Sequence, residues 1–324
     1  MADILSDVYE PRFLDCSYGF RPKRSTHDAI KVINDTIMYK KVNYILDCDI
    51  KGFFDNVNHE WLMKFLRNDI ADPNYLRYIA RMLKSGVMIE GKYEDTSVGT
   101  PQGGLTSPIL ANVYLHYVLD LWFEKCIKKQ LYGKAYLIRF ADDFLIMFQY
   151  ERDAQRVYEA VIKRMELFGL ELSKEKTRIL PFGRNSVSRE TFDFLGFTHF
   201  NSKTRKGYYS VGHKISRKKK KQFKSNLKKW VKENRNTQFD EFMKALNKKL
   251  TGSFNYYSLS GMIREIKCLW YHSLFVTFKW LNRRSQRRSF KMERFCEIWN
   301  ARIIRPYIHV DIWSGDKVIY NKNV

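Results

Sequence analysis

The segment "KAYLIRFADDFLIMFQY" (residues 134–150) constrains the fold of this chain more than any other stretch. Two adjacent carboxylates, Asp142 and Asp143, stand between stretches of apolar and aromatic residues that favour β-strands. Because Asp is favoured in tight turns, the pattern predicts a β-hairpin with the Asp pair at its turn. A lone turn of this kind is usually a solvent-exposed hairpin tip. Its role therefore has to be judged from the rest of the chain.

Helical and strand-like patterns alternate through residues 1–200. The segment "STHDAIKVINDTIMYKK" (25–41) predicts a helix of about four turns that begins at an N-cap, Ser25 or Thr26. The segment "VNYILDCDIKGFFD" (42–55) predicts a buried strand that ends in a turn. Two amphipathic helices are predicted for "HEWLMKFLRNDI" (59–70) and "PNYLRYIARML" (73–83). A strand pair with a bend at a glycine is predicted for "FDFLGFTHF" (192–200) and "KGYYSVG" (206–212).

The last two-fifths of the chain differ from the rest in pattern and in charge. After about residue 214 the apolar residues form three helical stripes, which predicts three helices with basic outer faces. Residues 201–324 carry 30 Lys and Arg against 8 Asp and Glu, a net charge of +22, whereas residues 1–200 carry 28 against 27. An excess of positive charge spread over a whole module indicates that the module binds a polyanion, and nucleic acid is the expected partner.

Several classes of protein are disfavoured by the composition. No apolar run approaches the roughly 20 residues that a membrane-spanning helix needs, and no basic segment followed by an apolar run opens the chain. The five cysteines are widely scattered and form no C-x-x-C pair, so we expect neither a zinc site nor a disulfide framework. We expect a soluble cytoplasmic protein with no membrane partner.

A third carboxylate, Asp49, ends the buried strand predicted for "YILDCDI" (44–50). Phosphoryl transfer needs divalent cations, which hard oxygen ligands hold, and crowded anions are tolerable mainly when a cation lies among them. The segment "GTPQGGLTSPILANVYLH" (99–116) adds a glycine-rich loop that leads into a helix-like run. Glycines there allow close approach to a ligand, and Gln102 offers both donors and an acceptor.

Taken in order, these blocks resemble the reverse transcriptases encoded by group II introns and their bacterial relatives. The matching blocks are "SYGFRPKRSTHDAI" (17–30), "DIKGFFDNVNHEWL" (49–62), "GTPQGGLTSPILANVYLH" (99–116), "RFADDF" (139–144), "LELSKEKTRIL" (170–180) and "FLGF" (194–197). The segment "LNKKLTGSFNYYSLSG" (246–261) resembles the maturase, or thumb, domain of that family. The resemblance implies an α+β right-hand polymerase palm with partial fingers (1–205), an all-α three-helix thumb or maturase domain (206–300) and a C-terminal tail (301–324).

The resemblance also implies a catalytic set. Asp49, Asp142 and Asp143 match the carboxylates of the polymerase site, and together with the carbonyl oxygen of Ile50 they would bind two Mg²⁺ ions. Lys176 matches the palm lysine that donates a proton to the leaving pyrophosphate. An ordinary surface lysine is the alternative at that position.

Further contacts follow from the same resemblance. Phe54 matches the aromatic residue that contacts the incoming sugar and disfavours a 2′-hydroxyl, and Gln102 would touch the nucleotide or the template. A core position for Phe54 and a loop-stabilising amide for Gln102 remain open. Pro101 and Arg21 complete the expected nucleotide site. In the basic module, where Trp270, Tyr271 and Trp280 could stack on bases, the expected nucleic-acid contacts are Lys218, Arg264, Arg283, Arg284 and Arg287.

The sequence departs from the family pattern in several places. Only "MADILSDVYEPRFLDC" precedes "SYGFRP", so we expect an N-terminally shortened member with incomplete fingers, and a homodimer or a partner chain that supplies the missing strands. Phe140 replaces the usual tyrosine before Ala-Asp-Asp. Thr251 and Ser253 stand where Arg and Trp are common, which predicts weaker intron recognition. No Cys/His-rich segment follows "RIIRPYIHVDIW", so we expect no endonuclease domain.

Together these features predict that the chain is an RNA-directed DNA polymerase of the bacterial cytoplasm, with maturase activity on intron RNA. It would add deoxynucleotides to a primer 3′-hydroxyl, using Mg²⁺ and an RNA template, with group II intron RNA, a DNA or RNA primer and dNTPs as partners. A non-catalytic maturase that binds intron RNA and an inactive remnant of a longer enzyme are the alternatives. The intact carboxylate set favours chemistry, because a pure binding protein has no reason to cluster three anions facing RNA.

Overall fold

A computed structural model describes the whole chain except residues 85–86, 90–91, 95–98, 100–103, 187, 285–288, 314–318 and 321–324. The chain divides into two compact units. The first comprises Met1–Glu190 and Thr204–Ser210, and the second comprises Thr191–Lys203 and Val211–Val324. No helix in the described parts is both long and apolar enough to pass through a lipid bilayer.

The first unit combines helices with a central sheet. Its helices are α1 (Ala2–Tyr9), α2 (Thr26–Tyr39), α3 (Phe53–Asn56), α4 (His59–Asp69), α5 (Pro73–Lys84), α6 (Ser107–Leu115) and α7 (Glu151–Leu167). After α6 the helical path continues in wider π-type turns over His116–Asp120 and Phe123–Ile127. Its strands are β1 (Tyr44–Asp49), β2 (Val87–Ile89), β3 (Lys92–Glu94), β4 (Ala135–Phe140), β5 (Asp143–Phe148) and β6 (Arg178–Pro181).

The central sheet is antiparallel and has the strand order β4-β5-β1-β6. The five residues from Phe144 to Phe148 in β5 are fully buried. Because successive side chains of a strand point to opposite faces, this burial means that both faces of β5 are covered. Helix α7 packs against β1 and β5, and α2 packs against β4. The apolar core therefore holds β5 in the middle of the unit.

The local predictions for the first unit are largely confirmed. Of the two candidate caps of α2, Ser25 is the one used. Its Oγ accepts the Asp28 N–H at 3.2 Å, and the Asp28 carboxylate accepts the Ser25 N–H at 2.8 Å, which is a capping box. The predicted buried strand is β1, and the two predicted amphipathic helices are α4 and α5.

The second unit contains strands and helices in succession. Its elements are β7 (Thr191–Phe194), β8 (Phe197–Lys203), β9 (Tyr209–Ile215), α8 (Arg217–Asn234), α9 (Phe239–Tyr257), α10 (Ile263–Leu281), α11 (Met292–Arg302), β10 (Val310–Asp311) and β11 (Ile319–Tyr320). Strands β7, β8 and β9 form one sheet in that order, and β10 pairs with β11. Strand β9 is divided between the two units, because its first two residues, Tyr209 and Ser210, are assigned to the first unit.

The prediction of a three-helix module was wrong in its number of helices, because α11 is a fourth helix in the described part of the second unit. Two aromatic residues of α11 one turn apart, Phe295 and Trp299, are fully buried. A pair of apolar residues at a single helical spacing is a weak periodic signal. Sequence periodicity therefore did not reveal a helix that tertiary packing stabilises.

Candidate active site

Strand pairing brings predicted carboxylates together. In the antiparallel pairing of β1 with β5, the Cα partners run from Tyr44 and Phe148 at one end to Asp49 and Asp143 at the other. Asp142 immediately precedes Asp143 in the turn between β4 and β5. The sheet therefore gathers all three carboxylates at the same end of two neighbouring central strands.

The turn itself differs by one residue from the prediction. Phe140 and Asp143 are Cα partners, so Ala141 and Asp142 form the turn and Asp143 already belongs to β5. Ala141 has a φ of +58°, the left-handed conformation that two-residue hairpin turns require at their first position. A residue with a Cβ keeps this conformation only when its surroundings hold it there.

The side chain of Arg139 supports this turn from inside the protein. Its Nη1 donates to the carbonyl oxygen of Ala141 at 3.1 Å and to Oδ1 of Asn112 at 2.9 Å. Its Nε and Nη2 donate to the two carboxylate oxygens of Asp120 at 2.8 and 2.6 Å, and Nη2 also donates to Ser17 Oγ at 2.9 Å. Arg139 and Asp120 are both completely buried, so each charge is compensated by the other and not by water.

The same cluster fixes a neighbouring backbone segment against the turn. The Tyr18 N–H donates to the Arg139 carbonyl oxygen at 2.8 Å, and Asn112 Nδ2 donates to the Gly19 carbonyl oxygen at 2.7 Å. A Cβ on Gly19 would lie 2.4 Å from the backbone nitrogen of Ala141, so only glycine fits there. The sequence blocks "SYGF", "NVYLH" and "RFADD" therefore meet at one buried polar cluster.

Sequence analysis missed Asp120, the ion-pair partner of Arg139. A signal for it was present, because each of these charges interrupts an apolar run: Asp120 in "NVYLHYVLDLWF" (112–123) and Arg139 in "AYLIRF" (135–140). Charged residues are almost never fully buried unless they are paired. Two lone charges of opposite sign in apolar runs are therefore candidates for one buried pair.

Negative charge is crowded at the end of β1 and β5. Burial, and after it the charges of Asp142 and Asp49, together raise the pKa of Asp143 from 3.8 to about 6. Burial also raises the pKa of Asp142, to which the charge of Asp49 contributes. A carboxylate cluster of this kind is stabilised when a cation lies among its oxygens.

Lys176 supplies one positive charge to the cluster. Its Nζ lies 2.6 Å from a carboxylate oxygen of Asp49, and its side chain is 60% exposed. The hydrogen bond to Asp49 raises the pKa of Lys176, which favours its protonated form. The preceding backbone is tied to the end of β1, because the Ser173 N–H donates to the Asp49 carbonyl oxygen at 2.8 Å. The structure therefore brings Lys176 to the carboxylates.

The donor set matches a hard divalent cation in kind. Carboxylate and carbonyl oxygens are the ligands that Mg²⁺ takes in proteins, and the carbonyl group of Ile50 directly follows Asp49 in the chain. In the described arrangement, Lys176 bonds Asp49. No three Asp, Glu, His or Cys side chains among the described residues are placed so that together they could hold a metal ion. The Lys176 ammonium therefore occupies one carboxylate oxygen of Asp49 in this arrangement.

Phe54 and the start of the glycine-rich loop lie together. Phe54 is half-buried on α3. A Cβ on Gly99 would lie 3.0 Å from the carbonyl oxygen of Phe54. The His59 ring forms a hydrogen bond with the Gly99 carbonyl oxygen, so the loop begins from a fixed point on α3 and α4. The predicted site residues outside the described part of the chain are Pro101, Gln102 and Arg287.

Arg21 is used within the fold. Its guanidinium donates to the Glu10 carboxylate at 2.7 Å and to the carbonyl oxygens of Leu14 and Ser17 at 2.7 and 2.9 Å. Arg21 is 7% exposed, and each of its guanidinium nitrogens has a partner. Arg21 is therefore engaged within the fold, and its contact with a nucleotide stays a prediction.

The basic residues predicted to contact nucleic acid lie on helices of the second unit or just after them. Lys218 on α8 and Arg264 on α10 are exposed. The guanidinium carbon of Arg283 lies 5.5 Å from the centre of the Trp280 ring. Arg284 has no hydrogen-bond partner for Nε and Nη2 among the described residues. Cations beside an aromatic ring have the chemistry for phosphate contact and base stacking.

Comparison with known proteins gives a family and several relatives. A sequence profile of the family "Reverse transcriptase (RNA-dependent DNA polymerase)" matches residues 1–199. The "Group II intron-encoded protein LtrA" of Lactococcus lactis subsp. cremoris is 43% identical over 122 residues, which are 36% of this chain and 20% of LtrA. "Protein YkfC" of Escherichia coli is 27% identical over 260 residues, which are 69% of this chain and 65% of YkfC.

The match to the first of these relatives is partial, since it spans only a fifth of the length of LtrA. Among solved structures, apo telomerase from Candida tropicalis is similar over 93% of this chain and 52% of that chain, with a TM-score of 0.48 and 16% sequence identity.

The crowding of carboxylates predicts a pH-dependent effect of Asp143→Asn. The pKa of Asp143 in the folded state is raised from 3.8 to about 6. The protonated Asp143 carboxyl therefore stabilises the folded state fully below pH 3.8, and this contribution is lost as the pH rises through about 6. In EDTA the neutral asparagine should therefore raise the free energy of unfolding at neutral pH, by at most about 3 kcal/mol.

Urea denaturation of the wild-type and variant chains across this pH range measures the effect. The gain should shrink as the pH falls towards 4, and Asp7→Asn at an exposed carboxylate should change stability by less than about 0.5 kcal/mol. A gain that is the same at all pH values, or a loss at neutral pH, would contradict the expected crowding.

The buried ion pair predicts a strong non-additive effect. Arg139→Met leaves the Asp120 charge buried and unpaired, which should destabilise the first unit by about 3–5 kcal/mol, whereas the double variant Arg139→Met/Asp120→Leu removes both charges and should recover most of that loss. The exposed pair of Arg24 and Asp15 is the control, and Arg24→Met should cost less than about 1 kcal/mol. Urea denaturation measures all of these, and a double variant no more stable than the single one would refute the pairing.

Proposed function

The chain belongs to the reverse transcriptase (RNA-dependent DNA polymerase) family and, within it, to the group II intron type, and on this basis we propose that it copies RNA into DNA. It adds deoxynucleotides to a primer 3′-hydroxyl on an RNA template, with Mg²⁺ as cofactor. The observation that carries this proposal is the register of β1 and β5, which pairs Asp49 with Asp143 beside the turn residue Asp142.

The three carboxylates and the carbonyl oxygen of Ile50 would hold two Mg²⁺ ions. When bound, such ions lower the charge of the phosphates and stabilise the attacking and leaving oxygens of an in-line displacement. Asp49 and Asp142 provide the principal ligands, and Asp143 completes the anionic cluster. Rigid strand ends suit this task, because they keep the oxygens in place without a flexible loop between them.

Lys176 acts on the leaving group. In the described arrangement its ammonium is bound to Asp49 at 2.6 Å, so Lys176 offsets part of the negative charge of the cluster before substrates bind. Once released from Asp49, the ammonium would donate a proton from Nζ to the departing pyrophosphate. Its exposed side chain can make this movement without unpacking the core.

Phe54, Gln102 and Pro101 form the nucleotide-contacting surface. Phe54 projects from α3, the short helix that follows β1, and its ring selects against a 2′-hydroxyl on the incoming sugar. Gln102 and Pro101 follow Gly99, whose contacts with α3 fix the start of that loop. Contact at these positions is supported by the family resemblance of the "GTPQGG" block.

The module that spans residues 206–300, the thumb or maturase domain, binds the RNA. Its net positive charge and its exposed cations favour phosphate contact, and Lys218, Arg264, Arg283, Arg284 and Arg287 are the contacts that we propose. Group II intron RNA is the proposed template, since the relative LtrA is a group II intron-encoded protein. The palm then spans residues 1–205, and residues 301–324 form a C-terminal tail.

Primer extension on an RNA template with Mg²⁺ tests the proposal. Asp142→Ala/Asp143→Ala should reduce extension at least about a hundredfold, because it removes several kcal/mol of transition-state stabilisation. The matched control is Asp47→Asn, two residues before Asp49 on the same strand, which pairs with Leu145 and Arg178 and should keep extension within about threefold.

The alternative, a non-catalytic maturase, predicts a different pattern of results. Tight binding of intron RNA with no extension by the wild-type chain would support the maturase and contradict the polymerase. Extension that survives in the double variant would show that these carboxylates do not perform the reaction.

A further inference from the structure

A cleft of about 420 Å³ opens on the second unit between α10, α11 and the segment that follows α11. This volume falls in the range of about 300–1,000 Å³ that is typical of small-molecule sites. None of the described residues proposed above for the polymerase lines the cleft. Its walls are formed by Lys267, Trp270, Tyr271, Leu274, Cys296, Asn300, Arg305 and Pro306.

One wall of the cleft is aromatic. Trp270 and Tyr271 lie edge to face, with ring centres 5.0 Å apart and planes at 85°. Tyr271 is 55% exposed, whereas Trp270 is 6% exposed. An exposed tyrosine ring on a buried tryptophan presents a rigid apolar face on which a flat ring can stack.

The charge of the cleft selects an anionic ligand. Lys267 on α10 and Arg305 after α11 are both exposed, and neither has an ion pair with any described residue. None of the described residues that line the cleft is acidic. An apolar stacking face and two cations without ion-pair partners among the described residues together match the base and the flanking phosphates of a nucleotide.

We propose that this cleft binds an unpaired RNA nucleobase, which stacks on Tyr271 while its flanking phosphates contact Lys267 and Arg305. This inference rests on the proposed RNA partner of the second unit and adds to it a specific site for single-stranded RNA. A base in a duplex is stacked and paired, so its face is not free to enter the cleft. The cleft therefore distinguishes an unpaired segment of RNA from a helical one.

Equilibrium binding of short oligoadenylates to the full chain tests the proposal. The measurement is made in EDTA and without nucleotides, so that a failure of polymerisation cannot affect it. Fluorescence anisotropy gives the affinity, and 2-aminopurine in the oligonucleotide reports stacking. Tyr271→Ala should weaken binding by about 5- to 100-fold, the range found when a base-stacking aromatic residue is removed, and should abolish the quenching of 2-aminopurine.

Two protein controls separate stacking from general effects. Phe275→Ala changes an aromatic residue that is also 55% exposed on α10 but does not line the cleft, so it should leave affinity within about twofold. Tyr271→Phe keeps the ring and should retain both affinity and quenching. Circular dichroism of each variant shows whether it is folded, and Tyr271→Phe keeps the proposal testable if Tyr271→Ala does not fold.

Changes to the RNA give an independent test. An oligoadenylate of the same length with abasic sites should bind at least about fivefold more weakly to the wild-type chain. Binding of an RNA duplex should be unaffected by Tyr271→Ala. Equal affinity for the abasic and intact strands, or an equal loss of duplex binding, would overturn the proposed cleft without affecting the proposed polymerase.

Discussion

The register of β1 against β5 is the constraint on which the rest of the first unit depends. Side chains of a strand alternate between two faces, so a slip of one residue would turn Asp49 away from Asp143. The buried residues from Phe144 to Phe148 prevent such a slip. Each large apolar side chain stabilises by about 1.5–3 kcal/mol when it is fully buried. Their combined burial exceeds the repulsion between the carboxylates at the end of the pair, so packing sets the geometry.

A second constraint acts on the turn between β4 and β5. The buried pair of Arg139 and Asp120 contributes little net stability, because desolvation offsets most of the attraction between the charges. Its effect is geometric, since the planar guanidinium has five donors in fixed directions and one of them holds the carbonyl oxygen of Ala141. The strained backbone of Ala141, and with it the position of Asp142, therefore depends on contacts that come from three distant sequence blocks.

Much of the first unit could be predicted from the sequence because local signals agree with the final structure. The hairpin around Asp142, the cap of α2 at Ser25 and the strand that ends at Asp49 all have such signals. The turn was misplaced by one residue, since apolar patterns locate a hairpin but not its exact pairing. Asp120 was missed because its role depends on a residue in another element, and a lone charge in an apolar run does not by itself identify the partner.

The second unit was less predictable for a different physical reason. Its charge identified a polyanion-binding module, because net charge is a property of composition alone. The fourth helix, α11, has only two fully buried aromatic residues, and its stability comes from packing on α10. The cleft beside Trp270 and Tyr271 exists only where separate segments meet, so sequence analysis grouped these rings with cations without identifying a pocket.

Manganese binding measured by electron paramagnetic resonance tests the central claim most directly, since Mn²⁺ takes the oxygen ligands that Mg²⁺ takes. The carboxylate cluster at the end of β1 and β5 should bind two ions close enough for magnetic coupling, about 3.5–4 Å apart. Asp49→Asn should remove that coupled signal, and Asp47→Asn should keep it. A coupled pair that persists in Asp49→Asn, or one that is lost equally in both variants, would contradict the assignment of this cluster as the metal site.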